Sequence, residues 1–339
     1  MFRRRLGKRG KSRRVLPTNH MGCWYHRGQE IGRTVDMAKR TGWRNVIAAA
    51  GIMMAAWNVL PLMAAAAGDQ TEGPYSQVAE QWRGEGIQEP EGVLQVIDPA
   101  VFSDTGTVGA EDSFGYGAQV VRMEKGDSVK LTVSVEETGL YAISVDYYCL
   151  AEKAVSHTVG LKINGEYPFS EARELVLSQL YGTEEWPFRK DSKGNEITPD
   201  TILEYQWQSQ RLKSVRQGNQ DALLFLLEKG ENEIELTMEK SSILLGKVSI
   251  LSVPEAVDYS TYKSAFPDTE SAGALISLEA ERIWRKDTTS TRPVAVRDVE
   301  VSPYLAKKKL MSWVGVATWN QTGQTLYYEF QVDTPGWYN

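Results

Sequence analysis

The residues Asp127 to Tyr147, DSVKLTVSVEETGLYAISVDY, allow few structures other than a half-buried pair of β-strands. Val129, Leu131, Val133 and Val135 alternate with Ser128, Lys130, Thr132 and Ser134. Side chains leave a strand on alternate faces, so this spacing writes one apolar and one wet face. Glu136-Glu137-Thr138-Gly139 is expected to form the corner, with Gly139 free to take a positive φ. Tyr141, Ile143 and Val145 resume the alternation. A second copy lies at Gln324 to Tyr338, QTLYYEFQVDTPGWY. Setting Gly336-Trp337-Tyr338 on Gly139-Leu140-Tyr141 superposes Leu326, Tyr328, Phe330 and Val332 on Val129, Leu131, Val133 and Val135, at an offset of 197 residues. That period is too long for a solenoid and suits two domains of one kind. The second copy stops one residue into its next strand, so the second domain is expected to be incomplete.

Charge divides the chain. Thirteen Lys and Arg against Glu30 and Asp36 put +11 on residues 1–44, and therefore −17 on the remainder of a chain whose net charge is −6. An acidic body argues against a nucleic-acid partner. Residues 1–45 read as a cytoplasmic, positive-inside flank. Ser12-Arg13-Arg14-Val15-Leu16 faintly resembles a twin-arginine signal but lies far from the apolar run, and Met21 or Met37 is an alternative start. Residues 46–67, VIAAAGIMMAAWNVLPLMAAAA, carry no charge and are long enough to span the hydrocarbon layer as a single hydrophobic helix. Ala65-Ala66-Ala67 has the form of a peptidase site, so the helix is either cleaved or kept as an anchor. In both cases the rest of the chain is expected outside the cytoplasmic membrane, with the N-terminus cytoplasmic if the helix stays. Cys23 and Cys149 flank this segment and imply no intrachain disulfide framework.

Beyond a linker at 68–92, with a short helix around Tyr75–Trp82, many short strands separated by Gly and Asn turns indicate a mainly β chain. Strands are expected at Leu94–Phe102, Val120–Met123, Tyr141–Leu150, His157–Ile163, Asp221–Leu227, Glu233–Met238 and Ile243–Leu251, with a tight turn at Asn164-Gly165. Residues 93–252 therefore form one β-sandwich. Within it, 170–218 reads as an excursion rather than sheet: Ser170 caps a helix carrying Leu175, Val176 and Leu180, and a polar stretch follows. A linker at 253–273 precedes 274–339, an incomplete second sandwich that opens at LISLEAE.

The order GLYAISVDYY, INGEYPFSEARELVLSQLY, W-x-F-R-x-D-x-x-GN-x-I-x-P and LFLLEKGENEIEL resembles the large multidomain extracellular solute-binding proteins of bacterial sugar-uptake ABC transporters. In that group a signal segment precedes two galactose-binding-like β-sandwiches of jelly-roll type and a two-lobed solute-binding domain. LEAE and the GWY corner are also similar to carbohydrate-binding modules built on this sandwich. The resemblance covers about residues 75–339. It departs at Cys149, where the group has Pro, and the two lobes that would engage a permease are absent, so their activity does not carry over.

No catalytic constellation stands out. His157 is the only histidine after the apolar segment, and no H-E-x-x-H, P-loop, paired CxxC or GxGxxG occurs. No cofactor is implied. Glu279 and Glu281 offer oxygens to a structural calcium ion or simply mark an exposed strand start. With ten Trp and fifteen Tyr, sugar is the expected ligand: sugar C–H faces stack on aromatic planes, and Arg and Asn bond the hydroxyls. Trp186, Arg189, Asn195 and Trp207 sit in the excursion and are the candidate ligand contacts; the alternative is that the tryptophans pin the excursion to the sheet. The chain thus reads as a non-catalytic carbohydrate-binding or scaffold region of an exported solute-binding protein. Accessory domains of a secreted polysaccharide-degrading enzyme, or a membrane-proximal spacer, are the alternatives. Fusing residues 1–75 to a reporter active only outside the cytoplasm is expected to give an active reporter; a reporter held in the cytosol contradicts export.

Overall fold

The computed structural model describes residues 72–104, 107–108, 114–184, 186–214, 222–253, 257–266, 270, 273–315 and 317–338. The uncharged segment 46–67 lies outside them. Among the described residues no helix is long and apolar enough to cross a membrane.

The described chain enters through helix α1 (Tyr75–Gly84), whose buried Trp82 meets Tyr75 and Phe169 edge-on. Strands β1 (Leu94–Ile97), β2 (Ser103–Asp104), β3 (Thr107–Val108) and β4 (Val121–Met123) follow. The long strands β5 (Ser128–Val135), β6 (Gly139–Cys149) and β7 (His157–Ile163) come next. Then come β8 (Leu175–Leu177), β9 (Leu180–Thr183), β10 (Thr201–Glu204) and β11 (Gln208–Arg211), and β12 (Leu224–Leu227), β13 (Gly230–Lys240) and β14 (Ile243–Leu251) close the first domain. After α2 (Tyr259–Ser264) the chain holds four short strands, β15 (Arg285–Lys286), β16 (Pro293–Ala295), β17 (Met311–Val314) and β18 (Leu326–Tyr327).

The protein is mainly β, and strands β1–β8 and β11–β14 form a sandwich of two antiparallel sheets. One sheet runs β2–β5–β13–β7–β8. The other runs β3–β4–β14–β6–β11, with β1 sharing the outer edge of β14 with β4, and β12 sharing the outer edge of β6 with β11. The alternation of β5 is realised: Val129, Leu131 and Val133 are buried and their neighbours reach solvent. Ile234, Leu236 and Met238 of β13 join them, and with Tyr141, Ile143 and Val145 of β6 they form one continuous core. Asn164 and Gly165 both take positive φ, 52° and 89°, as a tight hairpin turn requires.

The repeated corner recurs as a hydrogen bond. The Tyr141 hydroxyl donates to Glu137 O at 2.7 Å, and at the matching positions the Tyr338 hydroxyl donates to Thr334 O at 2.5 Å. The strand expected before the second corner is shorter than its alternation suggests. Only Leu326–Tyr327 pairs, against β15, and Phe330 and Val332 are about half exposed.

Three local expectations change. Gly139 does not take a positive φ; it is needed for close approach, because a Cβ there would lie 2.5 Å from Pro90 Cγ, beside the bond from Leu140 N to Gln88 O. The helix expected from Ser170 is one 3-10 turn at Ser170–Arg173 followed by β8. There Leu175 and Leu177 are buried and Val176 is not, so period 2 against β7 overrides helical spacing. Phe169, not Ser170, is the capping position, and the Ser170 hydroxyl donates to Glu171 Oε2. The excursion is also sheet. β11 pairs β6, and β9 and β10 pair each other and continue into β15 and β18, a four-stranded sheet joining the excursion to the later segment.

Because Gly139 is pressed against Pro90, Gly139→Ala should lower stability by about 1–3 kcal/mol through overpacking. Chemical denaturation measures this, and an unchanged midpoint contradicts the close approach.

Candidate functional site

The excursion and the later segment meet along the pairing of β9 with β15, where Tyr181 faces Lys286 and Gly182 faces Arg285. Thr183 Oγ1 reinforces the join by donating to Ile283 O at 2.7 Å. A Cβ at Gly182 would meet the carboxylate end of Glu204 of β10, which lies across it. Glu204 Oε2 in turn stands 3.7 Å from the Arg285 guanidinium, which lies 4.1 Å over the Trp284 ring.

Beside this join opens a cleft of about 320 Å³. One wall is Thr183, Glu184, Trp186 and Phe188; the other includes Glu279, Arg282, Trp284 and Tyr328. Trp186 and Trp284 are 43% and 42% exposed, so each presents ring surface that packing has not consumed. Phe188 meets Trp186 edge-on at 4.8 Å, and the Arg282 guanidinium lies 5.0 Å over its ring. The cleft thus combines two accessible indoles, acceptors in Glu184 and Glu279, and a guanidinium donor. Such a mixture suits a ligand with both apolar faces and hydroxyl edges.

Of the four residues expected at a ligand site, only Trp186 borders this cleft. Arg189 closes the base of the hairpin that carries Trp186, reaching Glu184 Oε2 at 3.0 Å and Asp200 Oδ2 at 3.1 Å. Asn195 is spent on the loop. Its Nδ2 and backbone N donate to Asp191, holding that carboxyl below its ordinary range, and its Oδ1 accepts from Lys309 N at 3.0 Å. Glu196 Oε2 accepts from Met311 N at 2.7 Å, sewing the hairpin to the later segment. Trp207 sits elsewhere, 4.1 Å from Tyr116 and 5.8 Å from Tyr148 on the sheet containing β6. There the Tyr116 hydroxyl bonds Asp146 Oδ2 at 2.5 Å and receives Lys247 N, so Trp207 packs on a fixed aromatic layer. Trp284 and Arg282 were not singled out in the sequence, and Tyr328 only as an apolar position of the repeated strand. The one signal for the first two is the cluster RIWRKD, in which a tryptophan stands between arginines.

Glu279 is exposed, while Glu281 is buried with its carboxyl raised chiefly by that burial. Among the described residues no three His, Cys, Asp or Glu converge as metal ligands. His157 is wholly buried in β7, which removes it from any role as an exposed base; burial lowers its pKa.

Beneath the join Lys286 is buried completely. Its Nζ donates to Thr291 O at 2.6 Å and Thr201 Oγ1 at 2.9 Å, with no carboxylate in ion-pair reach among the described residues. Burial, aided by Arg292, lowers it to about 8. A lowered lysine binds its proton more weakly folded than unfolded, so folding stability rises as the pH climbs from about 8 towards the ordinary lysine range. Lys286→Met should flatten that rise in a pH series of unfolding curves; an unchanged slope would show that Lys286 is solvated.

No family model and no curated protein matches this chain. Solved structures that align with it include a family 35 carbohydrate binding module from Clostridium thermocellum, at TM-score 0.29 and 12% identity, covering 48% of this chain and 100% of that one. A CBM35 from Cellvibrio japonicus Abf62 aligns at TM-score 0.32 and 13% identity over 48% and 95% of the two chains. A Podospora anserina GH26-CBM35 beta-(1,4)-mannanase aligns at TM-score 0.29 and 13% identity over 56% of this chain and 32% of the enzyme. At TM-scores near 0.3, likeness does not extend to what this chain binds.

Proposed function

We propose that this chain is the exported, non-catalytic, carbohydrate-binding region of a solute-binding protein for ABC-type sugar uptake, holding a glycan near the membrane. The observation that carries the binding role is the cleft at the β9–β15 join, where Trp186 and Trp284 keep ring surface open beside Arg282 and Glu279. A sugar ring has weakly apolar C–H faces and a polar rim, so it gains from an indole plane and from charged donors and acceptors at once. The assignment to sugar uptake is supported by the resemblance of residues 139–251, and the export role by the uncharged run behind a basic flank.

Calorimetric titration of the full chain with xylotriose, mannotriose and cellotriose tests this reading. We expect at least one to bind, and Trp186→Ala and Trp284→Ala each to weaken binding about tenfold, which corresponds to about 1.4 kcal/mol. The melting temperature should move little, because both rings are substantially exposed. Absence of binding to every glycan, or binding that ignores both substitutions, refutes the proposal.

A further inference from the structure

A second cleft, of about 380 Å³, shares no residue with the first. Its walls come from both sides of the linker: Gln179, Tyr181 and Lys213 from the first domain, and Asp287, Thr288 and Gln324 from the later segment. The walls are held by their own backbones. Lys213 O accepts from Val176 N at 3.0 Å. Gln210 spans the adjacent strand, accepting from Ser178 N and donating to Val176 O at 2.6 Å. Opposite, Asp287 Oδ1 accepts from Thr325 N at 2.8 Å. The Gln324 side chain is fully engaged, accepting from Asn320 N and Gln321 N and donating to Thr318 O.

Among the described residues, Lys213 and Asp287 are the charged members of the lining, and Lys213 forms no ion pair. Burial raises the Asp287 carboxyl, while Thr325 and, more weakly, Lys213 pull it back, so the two charges sense each other across the gap without closing on it. This pair excludes several ligand classes. An anion drawn to Lys213 meets Asp287, and a cation drawn to Asp287 meets Lys213. A planar aromatic ligand finds Tyr181 as the lone aromatic side chain, and it is buried. The lining mixes Ala154, Val155, Val176 and Leu177 with hydroxyls and amides, so it is no continuous apolar slot for an acyl chain. Hydroxyl groups, which both accept from an ammonium and donate to a carboxylate, satisfy both walls at once.

We propose that this cleft is a second site, separate from the tryptophan cleft, for an uncharged polyhydroxylated small molecule such as a neutral sugar, gripped by hydroxyl hydrogen bonds between Lys213 and Asp287 rather than by ring stacking. The proposal rests on the reading of the chain as sugar-binding and adds a site, a mode of contact and a charge class to it. Since the walls belong to segments on either side of the linker, an occupant also ties those segments together.

The test uses the full chain with Trp186→Ala and Trp284→Ala combined, titrated with xylotriose, mannotriose, cellotriose and galactose. Binding that survives in this variant and falls at least tenfold on adding Lys213→Met or Asp287→Asn supports the second site. Asp287→Asn keeps the acceptor for Thr325 N, and the melting temperature shows whether the fold is kept. On the unaltered chain, saturating glycan should protect the amides of 287–289 and 321–325 from hydrogen exchange, which supports the site even if the combined variant misfolds. Survival of binding untouched by both added changes overturns the second site. So does a single binding equivalent abolished by the tryptophan changes, which leaves the sugar-binding reading standing. Glucuronate or glucosamine binding more tightly here than glucose overturns the charge class, and absence of any glycan binding to the unaltered chain overturns both the site and the reading.

Discussion

Strand β6 is the member on which the rest is arranged. It is flanked on one side by β14 along most of its length and on the other by β12 and β11 end to end, so it is a central strand with no free edge. Tyr147, near its end, is wholly buried, and a buried hydroxyl costs free energy unless it finds a partner. Its OH reaches Ser178 O at 2.8 Å, and Gln210 Oε1 lies 3.1 Å away. Meeting that requirement fixes the chain between β8 and β9. It therefore fixes where β9 offers an edge to β15. The two clefts at the join are consequences of how one central strand disposes of one buried hydroxyl.

How much was legible in the sequence follows from where the information lies. β5 and β13 each have one wet face, and β14 has one over its second half, so period 2 shows in the residues themselves. β10 and β11 show no clean alternation, because both their faces are partly exposed, and their pairing is set by partners distant in sequence. The site divides the same way. Trp186 was visible as an aromatic residue in a polar excursion. Arg189 and Asn195 were visible too, but Arg and Asn close loops with the same groups that bind hydroxyls, and here Glu184, Asp200, Asp191 and Lys309 N use those groups. Trp284 belongs to the opposite wall, which only the β9–β15 pairing brings near.

Sites built at such a join depend on the register of very short strands. β15 is two residues long, and its place rests on Thr183 bonding Ile283 O and on the hairpin contacts with Lys309 and Met311, against the burial of Lys286 with no counter-charge among the described residues. That last feature stands out: a buried ammonium satisfied only by a carbonyl and a hydroxyl weakens the join where apolar packing would strengthen it.

The two tyrosine corners carry a consequence for the order of folding. Each joins a hydroxyl to a carbonyl four residues earlier, Tyr141 to Glu137 and Tyr338 to Thr334. Closing so short a loop costs little chain entropy, whereas β13 cannot meet β5 until about a hundred residues have been gathered in. The bends can therefore be in place while the strands leading into them are still unpaired. By loop length alone, the local corners close at smaller entropic cost than the pairing of β5 with β13.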